Sequence, residues 1–185
     1  SLPSTRVDAF NIDLANELSR NGRRSGLTFA PEGGSERMRQ VINKLITEED
    51  LYASVEGAFS QGWRRVKLYF LTGLPTETDE DTLGIAELGR KCVEIGRKYT
   101  NAASVTVSVG GFVPKPFTPF QWFGQNTIEE LNRKIYLLRD EVDGTPLAAR
   151  SPLTPPTKEP ARFGHQGQVA PLSSLLVIFP PARPG

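Results

Sequence analysis

An α/β fold of parallel strands covered by helices is what this sequence predicts, and three observations predict it. Residues 1–142 alternate strand and helix patterns, which is the signature of a parallel sheet. The connections between these patterns are short. Each strand pattern also runs into a Gly- or Pro-bearing loop, and in parallel folds such loops gather at one end of the sheet. Three units behind a leading helix fall short of the ~250 residues of a closed barrel. The expectation is therefore a partial (β/α) TIM-like barrel of about three β/α units, with unpaired sheet edges.

The elements follow in chain order. RVDAFNIDLANELSRNG sets Val7, Phe10, Leu14 and Leu18 on one helical face and stops at Gly22. SGLTFA is a short buried-type strand, and Ser35 opens the helix after it. Thr47 caps TEEDLYASVEGAFSQG, whose first turn is acidic and which ends at Gly62. RVKLYFLTG is the second strand. Thr78 caps the long helix TDEDTLGIAELGRKCVEIGRKY. SVTVSVGGFV, β-branched at alternate positions, is the third strand. A loop with Pro114, Pro116 and Pro119 leads to TIEELNRKIYLLRDEV, where Thr127 and Glu130 have capping-box spacing.

Residues 143–185 read differently. They hold nine of the fifteen prolines and only two acidic residues, Asp143 and Glu159. Proline fixes φ and removes a donor, so little regular structure is expected there. The one apolar run, LSSLLVIF, is short, and the tail is read as lying outside the domain. His165 within it is read as incidental.

Bulk properties narrow the function classes. The net charge of +1 comes from well-mixed charges, which leaves no basic footprint for nucleic acid. The single cysteine, Cys92, excludes an internal disulfide and is read as a core residue. Alone it cannot make a cysteine-only zinc or iron–sulfur site, so no metal is expected on this chain. No apolar run approaches the ~18–20 residues of a membrane span, and no signal peptide stands at the start. A cytoplasmic protein is expected. The chain opens at Ser1 without an initiator methionine, so its natural start is expected upstream.

Three loops carry the candidate chemistry. APEGGSER joins a strand to a helix through Glu32, Gly33, Gly34 and Ser35. Glycines there permit close backbone approach to a ligand or simply a tight turn. TGLPTETDED brings Gly73, Pro75 and Glu77, and its acidic residues read as complementing a helix dipole. GGFVPKPFTPFQWF brings Lys115 with Phe117, Phe120, Trp122 and Phe123. These aromatics either cover the sheet end or meet a substrate.

These motifs, in this order, carry a resemblance to a known family. APEGGSERMRQVINKLIT resembles the E/Q-x-G-S-x-R…N-R/K segment after the fourth strand of radical S-adenosylmethionine enzymes. GLPTETDED resembles the turn after their fifth strand, and FVPKPFTPF the loop after their sixth. The likeness covers about residues 1–142 and is nearest to the cobalamin-binding type. It implies the latter part of a radical S-adenosylmethionine barrel. In that family a C-x3-C-x2-C motif holds a [4Fe–4S] cluster on which S-adenosylmethionine is cleaved to a radical. This chain lacks that motif, so it is expected to contribute part of the site and to be inactive alone. Its implied partners are the other barrel half, with the cluster, and a cobalamin-type domain.

The resemblance also assigns residues. Glu32 would reach the ribose or amino acid part of S-adenosylmethionine, and Gly33, Gly34 and Ser35 would line it. Lys44 would pair with the cofactor carboxylate. Gly73 and Pro75 would shape the wall near adenine, while Lys115, Phe117 and Trp122 would face the substrate. Tyr69 stands where some relatives carry aspartate. Two other readings stay open. One is a small α/β enzyme holding a phosphate at Gly33–Ser35, although no P-loop Lys-Ser/Thr follows these glycines. The other is a non-catalytic α/β module that binds a partner through its edge and aromatic loop.

Overall fold

The computed structural model describes residues 26–143 and the backbone strand at 174–179. The leading helix with Val7, Phe10, Leu14 and Leu18, and also His165, lie outside the described residues.

The alternation read from the sequence is present. Strands β1 (Leu27–Glu32), β2 (Arg65–Thr72) and β3 (Ser104–Gly111) are separated by helices α1 (Glu36–Val41), α2 (Glu48–Ser60) and α3 (Asp79–Arg97). Helix α4 (Ile128–Asp143) follows β3. β1, β2 and β3 pair in parallel, in that order. The result is a mixed α/β fold around a parallel three-stranded sheet. Among the described residues the strands form an open sheet and do not close into a barrel.

The helix boundaries follow from local chemistry. The hydroxyls of Ser35, Thr47 and Thr78 accept the N–H groups of Met38, Asp50 and Asp81. Thr47 with Asp50 and Thr78 with Asp81 form complete capping boxes, which satisfy donors that a helix start leaves orphaned. Thr127 accepts the N–H of Glu130, one half of the expected capping box, while the Glu130 carboxylate accepts from Arg133. Helix α2 ends where Gly62 takes φ 84°. There the Gly62 N–H donates to the Phe59 carbonyl and the Trp63 N–H to the Ala58 carbonyl. This is a Schellman turn, and Trp63 packs into the core beyond it.

Strand parity divides the sheet into two faces. Leu27, Phe29, Val66, Leu68, Val105 and Val107 are buried in one core with Val55 and Phe59 of α2, Ile85 and Leu88 of α3, and Leu138 of α4. Each such side chain contributes roughly 1.5–3 kcal/mol on burial. Cys92 lies in the same core, as expected, and burial pushes its thiol up to about 12. The alternate residues Thr28, Lys67, Tyr69, Thr106 and Ser108 point the other way and are at least partly exposed.

The structure differs from the sequence reading at one sheet edge. Ser174–Phe179 form a fourth strand, β4, antiparallel to β3 from Val105–Phe179 to Gly110–Ser174. The expectation of an unpaired edge is corrected there, by six residues of the tail. An apolar hexapeptide needs only an open edge to satisfy its backbone. That edge lies more than sixty residues upstream, where no local pattern could reveal it.

Candidate functional site

Because β1, β2 and β3 are parallel, their C-terminal ends lie at one end of the sheet, and the three Gly/Pro loops meet there. The loop after β1 departs from regular strand geometry before it ends. A register shift lies between Phe29 and Glu32, and Glu32 itself sits at φ 68°. Pro31 cannot donate to a ladder, so a bulge suits its position. A left-handed glutamate is strained by roughly 1–2 kcal/mol. Such strain persists only where the surroundings hold the residue in place.

The partner of Glu32 is Lys44, whose Nζ lies 3.1 Å from its Oε1. Helix α1 delivers that lysine. The helix stops after two turns because Asn43 adopts φ 56°. The Asn43 N–H donates to the Gln40 carbonyl and the Lys44 N–H to the Arg39 carbonyl. Asparagine tolerates this left-handed turn, which folds the chain back and brings Lys44 over Glu32. The acid is two-fifths exposed and the base one-fifth, so both remain reachable by a ligand.

Gly33, Gly34 and Ser35 are placed beside this pair, but they face the protein. A Cβ on Gly34 would stand 2.1 Å from the Asp81 carbonyl oxygen. One on Gly33 would stand 2.8 Å from the Arg39 nitrogen. Both glycines let the β1 loop lie directly on helices α1 and α3. The Ser35 hydroxyl donates to Asp81 Oδ1 at 2.5 Å. A phosphate at the start of α1 would therefore meet a carboxylate, which weighs against the phosphate reading.

Asp81 is the hub that sequence reasoning missed. It accepts from Ser35, from the Thr78 N–H and hydroxyl, and from Arg37, which also donates to the Thr76 carbonyl. Burial alone would raise its pKa. The hydrogen bonds from Ser35, the Thr78 backbone, Arg37 and the Thr78 side chain outweigh it and hold the carboxyl at about 2. The first two motif loops are thereby locked together. The capping-box spacing from Thr78 to Asp81 was the available signal, and its second use was invisible because Ser35 and Arg37 lie over forty residues away.

Two more buried charges fix the loops. Arg39 donates to the Ile46 and Gly33 carbonyls, clamping the turn that carries Lys44. Glu77, with its side chain 1% exposed, accepts from the Gly73 N–H at 2.5 Å and from Lys134 Nζ at 2.7 Å. Glu77 thus organises the β2 turn and does more than complement a dipole. Gly73 sits at φ 80°, and a Cβ there would press on Leu131, so only glycine fits. Pro75 lines a cleft of about 340 Å3 with Thr76, Asn126 and Arg133.

The third loop carries the aromatic residues. Lys115 lines a cavity of about 370 Å3 together with Leu71, Phe112, Val113 and Phe120. Phe112 and Phe120 pack edge to face at 5.9 Å, and Phe120 meets Phe123 at 5.7 Å. Phe117 and Trp122 project outward, 98% and 88% exposed, and take no part in lining that cavity. Among the described residues, no three His, Cys, Asp or Glu side chains come together to hold a metal ion. No helix among them is long and apolar enough to cross a membrane.

No protein-family model matches the chain. An uncharacterized protein of Methanocaldococcus jannaschii is 42% identical to it over 118 residues, which cover 64% of this chain and 24% of that protein. The match thus spans about a quarter of its relative's length.

Proposed function

We propose that this chain forms one wall of an S-adenosylmethionine site, within the barrel of a cytoplasmic radical enzyme of the cobalamin-binding type. The Glu32–Lys44 pair carries the reading. The amino acid end of S-adenosylmethionine bears an ammonium and a carboxylate. An acid and a base 3.1 Å apart offer each of those groups an opposite charge. Both side chains are held in advance, Glu32 by its bulge and Lys44 by the Asn43 turn, so binding need not order them. The polar face of β1–β3, on which no helix among the described residues packs, also supports the reading, because interior positions of a barrel alternate with helix-facing ones.

The cluster is a separate matter. It needs three thiolates, and the one cysteine here is buried with its thiol held protonated. These residues do not fit the cluster. On this reading its ligands, and any cobalamin domain, come from outside the chain, and no step of the radical reaction is assigned to residues described above.

Sequencing the gene past both ends of this chain, then dialysing its whole product against S-adenosylmethionine, tests the proposal. The expected result is an upstream C-x3-C-x2-C motif and saturable binding. Glu32→Ala and Lys44→Ala should each weaken that binding about tenfold. A product without the motif overturns the radical chemistry. Equal binding by wild type and both variants overturns the assignment of the site.

A further inference from the structure

The face of β2 turned away from the helical core carries an ordered series that the Glu32–Lys44 pair does not use. Lys67, Tyr69 and Leu71 alternate with the buried residues of the strand and so project from the same side. Lys67 Nζ donates to the Tyr69 hydroxyl at 2.8 Å and lies 4.5 Å from the centre of its ring. Among the described residues no carboxylate pairs with Lys67, and Tyr69 is 40% exposed. The neighbours in register are hydroxyl residues, with Thr28 and Thr106 beside Lys67 and Ser108 beside Tyr69. One step further along, Leu71 opens into the cavity walled by Phe112 and Phe120. A Cβ on Gly110, next to Leu71 in register, would meet nothing within 4 Å. Cation, hydroxyl and apolar cavity therefore follow one another along a single strand at steps of roughly 6.7 Å.

We infer that this face binds a small amphipathic anion, its acidic group on Lys67 and Tyr69 and its apolar body between Leu71, Phe112 and Phe120. The chemistry on each side dictates the match. The Lys67 ammonium, with which no carboxylate among the described residues pairs, attracts a carboxylate or phosphate, and the tyrosine hydroxyl supplies a second donor. Adjacent hydroxyls accept the remaining water-mediated contacts, and the apolar cavity rewards an aromatic or alkyl group. Naming this anion the substrate rests on the proposed enzyme; its binding does not.

The test compares 4-phenylbutyrate with the neutral 4-phenyl-1-butanol by isothermal titration to the 185-residue chain. The acid should bind about tenfold more tightly than the alcohol. Lys67→Met should abolish that preference and leave the alcohol unchanged, while Leu71→Asp should weaken both. Circular dichroism of each variant should match wild type, because these side chains lie outside the core. Equal affinity for acid and alcohol in the wild type overturns the inference, as does no binding of either. A preference that survives in Lys67→Met overturns it too. S-adenosylmethionine binding is read separately through Glu32→Ala, so failure of one site is distinguishable from failure of the other.

Discussion

The two faces of the sheet are built from the same three strands, yet they obey different rules. On the helix side, the rows Leu27–Val66–Val105 and Phe29–Leu68–Val107 are apolar and fully packed. On the other side, the row Thr28–Lys67–Thr106 and the pair Tyr69–Ser108 are polar and partly exposed. A one-residue step along any strand exchanges one environment for the other. Among the described residues, the apolar packing of β1–β3 is concentrated on one face, and the polar groups of these strands lie on the other.

The largest expected effect tests that division directly. Leu68→Ala should lose about 2–5 kcal/mol by chemical denaturation, because it opens a cavity in a packed row. Thr106→Ala, one row away on the open face, should change stability by no more than about 0.5 kcal/mol. Similar losses from the two variants would show that both faces are packed and would break the comparison.

Asp81 sharpens it at the seam between the first two loops. Its carboxyl is held near pH 2 when folded and titrates at about 3.9 when unfolded. Its contribution is therefore fully present above about pH 5 and is lost as the pH falls toward 2. The expected loss is about 2 kcal/mol over that window. Asp81→Asn should flatten this acid limb of the stability profile, and an unchanged limb would count against the hub.

Glu32→Gly combines a small stability effect with a telling one on binding. Glycine relieves the left-handed strain while forfeiting a partly exposed ion pair, so stability should stay level or rise by up to about 1 kcal/mol. Affinity for S-adenosylmethionine in the whole product should fall with it. A variant that loses stability would mean that Glu32 is placed for the fold and not for a ligand.

How much of the site was legible follows the range of each interaction. Ser35, Thr47 and Thr78 were readable as caps because the groups they satisfy lie within three residues. Glu32 and Lys44 were readable as candidates through motif resemblance, but their meeting depends on Asn43 turning left-handed. Gly33 and Gly34 were readable as necessary glycines, while their purpose was not, since the atoms that exclude a side chain include Asp81 and Ile85 of another helix. In the third loop the sequence named Phe117, Phe120, Trp122 and Phe123 together, and the structure packs Phe120 against Phe112 and Phe123 while Phe117 and Trp122 project outward. Aromatic residues a few positions apart look alike in a loop, and only the folded structure shows that Phe112 and Phe120 line a cavity with Leu71 and Gly111.

The sequence by itself determined the order of strands and helices, their capped ends and the apolar parity of each strand. These are set by hydrogen bonds and periodicities that operate within a few residues. Tertiary structure alone decided which loops are tied by Asp81 and Glu77, which edge β4 completes, and which polar residues share the open face. Each of those joins groups tens of residues apart, and such contacts exist only once the core has fixed the sheet in register.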